Sequence, residues 1–226
     1  MRIIFDLDGT LIDSAPDLCH AANRMLAELY GAGPIPVETF ATFIGQGLPK
    51  QLKRSLRHAG IENPSEEEFQ RALETFKRFY GEEPAKRTVV FDGVREALDA
   101  LKEQGARLAV CTNKSEDLAW KALEGLEMAH YFDALVGGET LPVRKPHPEP
   151  LLECARRLGE EAGPVFYVGD SETDEEAAKA AGFPLILYTG GYSKKPLEEI
   201  EAAARFGHFG ELPGLVAGLA RQASGR

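Results

Sequence analysis

Two aspartates near the start of the chain have a spacing that suits carboxylate chemistry. Asp6 and Asp8 follow the apolar residues 2–5 and surround a single leucine, and Gly9 and Thr10 come next. The β-branched and aromatic run predicts a buried strand, and the glycine predicts a turn after it. Side chains two residues apart in an extended segment point the same way, so both carboxylates would face one spot. Paired like charges favour a bound cation, with a solvated Asp-Gly turn as the alternative.

A second group of polar residues follows a strand in the middle of the chain. Thr112 and Asn113 come directly after the apolar residues 107–111 and precede a predicted helix. The backbone N–H groups at a helix N-terminus favour an anion. Ordinary N-capping by either side chain is the alternative interpretation.

Lys145 and two more aspartates complete the candidate set. Lys145 lies in the proline-rich stretch 144–150, which restricts its backbone and can aim its ammonium inward, unless the loop is simply solvated. Asp170 follows the predicted strand 165–168, and Asp174 lies on the next helical turn, where both could instead cap that helix. If these carboxylates converge, their oxygens suit Mg²⁺. The lysine and a hydroxyl could then hold a phosphoryl group beside an aspartate nucleophile.

The pattern of predicted elements indicates how these residues are brought together. From residue 89 onward strands and helices alternate, ending with helices at 196–203 and 212–220, whereas residues 14–85 contain helices and no convincing strand. Alternation of this kind predicts a doubly wound, mostly parallel α/β sheet with a Rossmann-like core. We therefore expect residues 1–13 and 88–226 to form this core and residues 14–87 to form an inserted all-helical domain.

Composition restricts the classes of partner. The 226 residues include 26 Lys and Arg against 36 Asp and Glu, a formal charge of −10, which argues against nucleic acid as the main partner. No signal-peptide pattern and no membrane-length apolar run is evident, so we expect a cytoplasmic protein without a membrane or an obligate protein partner. Cys19, Cys111 and Cys154 are predicted to be reduced, buried thiols.

Taken in order, the candidate residues resemble the motifs of a known family. Asp6-x-Asp8-Gly9-Thr10, then Thr112, Lys145 and Gly169-Asp170-Ser171-x-x-Asp174 resemble the four motifs of haloacid dehalogenase-like phosphatases. The helical insertion resembles that family's cap domain of the first type. Residues 13–18, 43–47, 137–142 and 145–151 resemble the phosphoglycolate phosphatase branch, although Glu139 stands where we expect aspartate.

The resemblance implies a role for each motif residue. Asp6 would attack phosphorus to form an aspartyl-phosphate, and Asp8 would protonate the leaving alkoxide and then activate water. Thr112, Asn113 and Lys145 would bind the phosphoryl oxygens.

The resemblance also implies a metal site and a substrate-closing loop. Mg²⁺ would be bound by the Asp6 carboxylate, the Asp8 backbone carbonyl and Asp170. The remaining residues with an implied role are Thr10 and Asp174, which would support the site, and Gly45, Gln46 and Gly47, which would close over the organic end of the substrate.

The expected function is hydrolysis of a small phosphorylated metabolite, with 2-phosphoglycolate as the leading substrate. A phosphosugar mutase, or a phosphatase of another small phosphoester, is the alternative on the same scaffold. A dehalogenase is less consistent with the sequence, because that branch neither keeps Asp8 as an acid–base group nor needs Mg²⁺. A non-enzymatic phosphoprotein-binding module is disfavoured because every position that carries chemistry is intact.

Overall fold

A parallel sheet organises the structure. The computed structural model describes residues 1–83, 85–159 and 163–224. Every neighbouring pair of strands in the main sheet is parallel. In spatial order the strands are β5 (Ala134–Val136), β4 (Arg107–Cys111), β1 (Arg2–Phe5), β6 (Val165–Gly169), β7 (Leu185–Tyr188) and β8 (Ala204–Phe206).

Both faces of this sheet are covered by helices. Successive side chains of a strand point to opposite faces, and those of β1 enter two different hydrophobic clusters, Ile3 and Phe5 on one face and Ile4 on the other. The first face is covered by helices α5 (Val94–Glu103), α6 (Glu116–Gly125) and α9 (Leu212–Ser224), and the second by α7 (Glu149–Arg157) and α8 (Glu172–Ala181). The predicted doubly wound α/β fold is therefore confirmed.

Residues 15–82, which we call the helical segment, have a hydrophobic cluster of their own. Met25, Phe40, Leu52 and Phe76 are fully or almost fully buried in it, and Leu118 of α6 packs against them. The segment consists of α1 (Ala15–Tyr30), α2 (Val37–Ala41), α3 (Leu48–His58) and α4 (Glu66–Glu82). It therefore makes an apolar contact with the beginning of α6. We call the main sheet and the helices α5 to α9 that cover it the sheet-based part.

The chain enters and leaves the helical segment through two short antiparallel strands that the sequence did not predict. Strand β2 (Ile12–Asp13) pairs with β3 (Val89–Val90). Beside them, the Asp17 carboxylate in the first turn of α1 accepts hydrogen bonds from the backbone N–H groups of Arg87 and Thr88 at 2.9 and 2.8 Å, and from the Thr88 hydroxyl at 2.8 Å. A buried carboxylate thus ties the first helix to the returning chain.

The prediction of a helix at 196–203 is wrong. Only Leu197–Glu199 form a short 3₁₀ turn, and the chain then forms β8, which pairs with β7 at the edge of the sheet. The Leu, Glu and Ala residues of this stretch have high helix propensity, but tertiary packing outweighs it. Phe206 of β8 is buried against Tyr188 and Phe209, with ring centroids 5.3 and 5.1 Å away.

Two predictions from composition concern the cysteines and the membrane. Cys19, Cys111 and Cys154 are buried and form no disulfide, so the predicted buried free thiols are confirmed. Within the described ranges, no helix combines the length and the apolar character that crossing a bilayer requires.

Candidate active site

The polar residues predicted at strand ends lie together at the carboxyl edge of the sheet. Phe5, the last residue of β1, is in register with Val110 of β4 and Val168 of β6. Asp6 therefore continues from β1 between the loops that follow its two neighbours. This edge is where open α/β sheets bind their ligands.

Three carboxylates from the chain segments that follow β1 and β6 form a buried cluster. Oxygen atoms of Asp6, Asp170 and Asp174 all lie within 4.8 Å of one another. Gly9 makes this approach possible, because its φ of +91° favours glycine and a Cβ there would lie 2.7 Å from the Asp170 carboxylate. The turn after β1 thus brings the first strand directly against the loop after β6.

Lys145 contacts two members of this cluster. Its Nζ lies 2.9 Å from Oδ1 of Asp6 and 2.8 Å from Oδ1 of Asp174, and it donates to the Tyr167 hydroxyl at 2.7 Å. Asp174 also caps α8, because its Oδ2 accepts from the backbone N–H groups of Asp170 and Ser171 at 3.2 and 3.1 Å. The capping and the lysine-contacting interpretations of Asp174 therefore hold together.

Charges in the cluster are unbalanced. Burial, followed by the charges of Asp174 and Asp8, raises the pKa of Asp6 to about 7, although Lys145 opposes the shift. Burial, followed by the charges of Asp174 and Asp6, raises the pKa of Asp170 well above its ordinary value, and no described cation forms an ion pair with it. Buried carboxylates in this state favour a bound cation. The oxygen donors and their burial suit a hard divalent metal ion.

Asp170 is oriented by two neighbours, one predicted and one missed. The Thr10 hydroxyl donates to its Oδ1 at 2.7 Å, and the backbone N–H of Tyr192 donates to its Oδ2 at 2.7 Å. The Tyr192 hydroxyl in turn donates to Asp13 of β2. Gly191, just before Tyr192, is a signal for such an approach, because a Cβ there would lie 2.3 Å from Asp170.

Asp8 lies beside the cluster with partners that the sequence interpretation did not include. Its Oδ1 accepts from the Ser14 hydroxyl at 2.5 Å and from Lys114 Nζ at 2.6 Å. Burial is the largest influence on the pKa of Lys114 and lowers it, but the effects of Asp8 and Tyr80 together outweigh burial and raise the pKa, so the ammonium is retained. Lys114 Nζ also lies 5.0 Å from the ring centroid of Tyr80 on α4. The lysine follows Thr112 and Asn113 directly, which is the signal in the sequence for its position.

The two polar residues after β4 have different partners. Thr112 is buried and borders the cavity beside the acidic cluster, and its hydroxyl accepts from the backbone N–H of Lys114 at 3.2 Å. The Asn113 side-chain amide donates to the carbonyls of Lys145 at 3.0 Å and Gly45 at 3.3 Å. In this arrangement the side-chain donors of Asn113 are occupied, and its backbone N–H is the group left for an anion.

The helical segment forms the other wall of this cavity. Gly45 and Gly47 line it, together with residues from α3 and α4. Gln46 is not among the described lining residues, and its side-chain oxygen accepts from Arg54 at 2.8 Å. Lys194, from the loop beyond β7, donates to the Ile44 carbonyl at 3.0 Å. The loop at 44–47 is thus hydrogen-bonded to the sheet-based part on two sides.

Comparison with known proteins agrees with this geometry. Residues 3–188 match the family model described as haloacid dehalogenase-like hydrolase. The chain is 42% identical over 214 residues to a phosphoglycolate phosphatase of Cereibacter sphaeroides, covering 95% of this chain and 96% of that protein. It is 39% identical over 204 residues to a phosphoglycolate phosphatase of Thiobacillus denitrificans, covering 89% of each.

A solved structure is also similar. The crystal structure of a predicted phosphoglycolate phosphatase from Haemophilus somnus has a TM-score of 0.88 at 32% identity, covering 95% of this chain and 97% of that chain. The fold and the acidic site together define an α/β enzyme with carboxylate chemistry at the carboxyl edge of its sheet. The chain belongs to the haloacid dehalogenase-like hydrolases, which confirms the family predicted from the motifs.

Proposed function

We propose that this hydrolase is a Mg²⁺-dependent phosphatase that acts on 2-phosphoglycolate through an aspartyl-phosphate. The observation that carries the proposal is the Asp6 carboxylate, held 2.9 Å from Lys145 at the cavity floor and within 4.8 Å of Asp170. Relatives that share about 40% of their residues over most of the chain are named phosphoglycolate phosphatase, which supports this substrate.

The acidic cluster supports a metal site. Asp6 and Asp170 would hold Mg²⁺ with their carboxylates and Asp8 with its backbone carbonyl, and Asp174 would hold Lys145 in place. When bound, Mg²⁺ supplies charge that offsets the repulsion between the nucleophile and the phosphate. That repulsion is roughly 8 kcal/mol, taking ~4 kcal/mol for each charge pair at 4 Å and an effective dielectric of ~20.

The chain's own residues account for both half-reactions. An Asp6 oxygen forms a bond to phosphorus while the ester oxygen leaves, and Asp8 gives that oxygen its proton. Water, deprotonated by Asp8, then attacks the aspartyl-phosphate, which releases phosphate and restores Asp6. The Thr112 hydroxyl, the Lys145 ammonium and the backbone N–H of Asn113 bind the phosphoryl oxygens, whose charge is spread in the transition state.

In this proposal residues 14–87 act as a cap and residues 1–13 and 88–226 as the catalytic core. The cap loop at Gly45, Gln46 and Gly47 closes over the organic end of the substrate, with the glycines forming the wall. The ligand is a small phosphorylated metabolite in the cytoplasm. The net charge of −10 is consistent with local rather than global attraction of this anion.

A phosphosugar mutase is less consistent with the cavity. Such an enzyme needs acid–base groups on the cap side to manage sugar hydroxyls. The described lining residues from the helical segment include no histidine and no carboxylate, and their polar side chains are Gln51, Lys77 and Tyr80. Hydrolysis of a compact substrate needs no acid–base group on the cap side.

The test is phosphate release from a panel of small phosphoesters, with 2-phosphoglycolate beside short sugar phosphates and pyrophosphate. We expect the highest kcat/KM on 2-phosphoglycolate, loss of activity with EDTA and its return with Mg²⁺. Asp6→Asn, which keeps the shape of the side chain, should lower kcat by at least about 10³-fold. Full activity in EDTA, or in the Asp6→Asn variant, would exclude this mechanism.

A further inference from the structure

Three residues that line the cavity each have an unpaired polar atom. Among the described residues, the buried side-chain atoms without a hydrogen-bond partner are Oε1 of Gln51, the Tyr80 hydroxyl and Oδ1 of Asn113. All three residues line the cavity that also contains Asp6 and Asp8. Buried polar groups are normally hydrogen-bonded, so unpaired atoms at one cavity favour a polar ligand. Of the three, only the Tyr80 hydroxyl can donate to an anion, because the two amide oxygens only accept. Gln51 and Tyr80 come from α3 and α4, on the wall opposite the acidic cluster.

Lys114 connects these groups with the proposed acid–base residue. Its side chain is only 5% exposed, its Nζ lies 2.6 Å from Asp8, and the Tyr80 ring centroid lies 5.0 Å away. An ammonium has three N–H donors, so the bond to Asp8 leaves donors for a second anion. The residue therefore presents a buried positive charge beside the group that must contact the ester oxygen.

The small size of the substrate determines which of its groups lies next to the Lys114 ammonium. In 2-phosphoglycolate a single methylene carbon separates the ester oxygen from the carboxylate. A cation that binds the carboxylate must then lie next to the residue that protonates the ester oxygen, and Lys114 has that position. We propose that Lys114 and the Tyr80 hydroxyl form a carboxylate subsite that selects this substrate. The inference rests on the proposed phosphatase function and assigns its specificity.

Of the described residues that line the cavity, the other cations are Lys145, Lys77 and Arg144, and they are less well placed; Arg144 is exposed. Lys145 is engaged by Asp6, Asp174 and Tyr167. Lys77, on α4, is 41% exposed and pairs with Glu139 at 3.2 Å. A charge screened by water selects an anion weakly, whereas a buried charge selects it strongly.

The experiment compares two substrates that differ only in the carboxylate. We would measure kcat/KM for 2-phosphoglycolate and for ethyl phosphate, which has the same two-carbon chain ending in a methyl group. Lys114→Met should lose about tenfold to a hundredfold more kcat/KM on 2-phosphoglycolate than on ethyl phosphate, because it removes a charged hydrogen bond. Tyr80→Phe, which removes one oxygen, should change the same ratio about threefold to tenfold. Lys77→Met, a cation at the exposed rim, should leave the ratio unchanged.

The outcomes separate this inference from the function on which it rests. If Lys114→Met lowers kcat/KM by the same factor for both substrates, the lysine only positions Asp8 and the inference fails. If that variant does not fold, Tyr80→Phe decides, and an unchanged ratio there overturns the subsite. Glycolate inhibition gives a readout without chemistry, since Lys114→Met should weaken it and leave inhibition by inorganic phosphate intact. Failure of the wild-type enzyme to hydrolyse 2-phosphoglycolate would instead reject the proposed function itself.

Discussion

At the scale of single residues, the site is a group of anions with too few cations. Lys145 faces two carboxylates, Asp6 and Asp174, and Asp170 has hydrogen-bond donors but no ion pair among the described residues. Keeping such acids ionised in a buried place requires more positive charge. The raised pKa of Asp6, about 7, expresses this deficit as a property that can be measured.

This pKa predicts how metal binding depends on pH. The pKa of Asp6 is raised in the folded state, so in metal-free protein its contribution to stability is complete below its ordinary value of 3.8 and is lost as pH rises through about 7. A metal must displace this proton, so below pH ~7 binding weakens by up to about 1.4 kcal/mol per pH unit. We therefore expect Mg²⁺ at a fixed concentration to raise Tm more at about pH 8 than at about pH 6.

Differential scanning calorimetry of the wild type and of Asp6→Asn checks this prediction. The asparagine variant carries no titrating proton at this position, so its smaller Mg²⁺ shift should depend less on pH. An equal Mg²⁺ shift at both pH values in the wild type would contradict the proposed role of Asp6 in metal binding.

The residues that sequence alone predicted are those whose position follows from sheet topology. Asp6, Thr112 and Asp170 follow parallel strands, and parallel strands end at one edge, so their convergence follows once the strands are recognised. Lys114 and Tyr192 were missed for a physical reason. A lysine or tyrosine in a loop is usually solvated, and their partners Tyr80 and Asp13 belong to a different part of the chain, so only the folded structure identifies the contacts.

At the scale of elements, local propensity was reliable where packing agreed with it. The strands β1, β4 and β6 are apolar runs buried on both faces, and prediction and structure coincide closely there. The prediction of a helix at 196–203 failed because this stretch leads directly into β8, which pairs with the edge strand β7. Strands β2 and β3 have two residues each, too short for a periodic pattern to appear.

The junction between α1 and the returning chain gives a prediction about stability. Asp17→Ala leaves the backbone N–H groups of Arg87 and Thr88 without their buried acceptor, so we expect a loss of about 3 kcal/mol in the free energy of unfolding. The control is Asp117→Ala, in the first turn of α6, whose carboxylate is exposed and pairs with Lys121. That change should cost less than about 0.5 kcal/mol.

Urea unfolding followed by circular dichroism measures both free energies. The comparison isolates burial, since both aspartates lie in the first turn of a helix and face a basic partner. Similar values for the two variants would show that the hydrogen bonds of Asp17 contribute little.

At the scale of the whole molecule, the cavity depends on contacts between the helical segment and the sheet-based part. Two hydrogen bonds cross between them at the loop 44–47, from Asn113 to the Gly45 carbonyl and from Lys194 to the Ile44 carbonyl. Each of these is a single hydrogen bond, whereas each part is stabilised by buried hydrophobic clusters of its own. The contacts can therefore govern closure without governing folding.

Removing these contacts should affect substrate capture more than stability. We expect Lys194→Met to raise KM for 2-phosphoglycolate several-fold, because a single hydrogen bond contributes about 1 kcal/mol. Tm should stay nearly unchanged. Hydrogen exchange at residues 44–47 should become faster in the same variant. Lys179→Met, which removes an exposed pair with Glu201, serves as the control and should change neither quantity. A lower Tm with KM and exchange unaltered would contradict the division between closure and folding.

The pairing of β2 with β3 has a consequence for how this molecule could be altered. Because the outgoing and returning chains pair there, the two ends of the inserted segment lie next to each other. The entropy of closing such a loop grows only slowly with its length, so an insert of different size could be exchanged at this point at little cost. Replacing the inserted segment could then change substrate preference while the residues that carry out the chemistry stay the same.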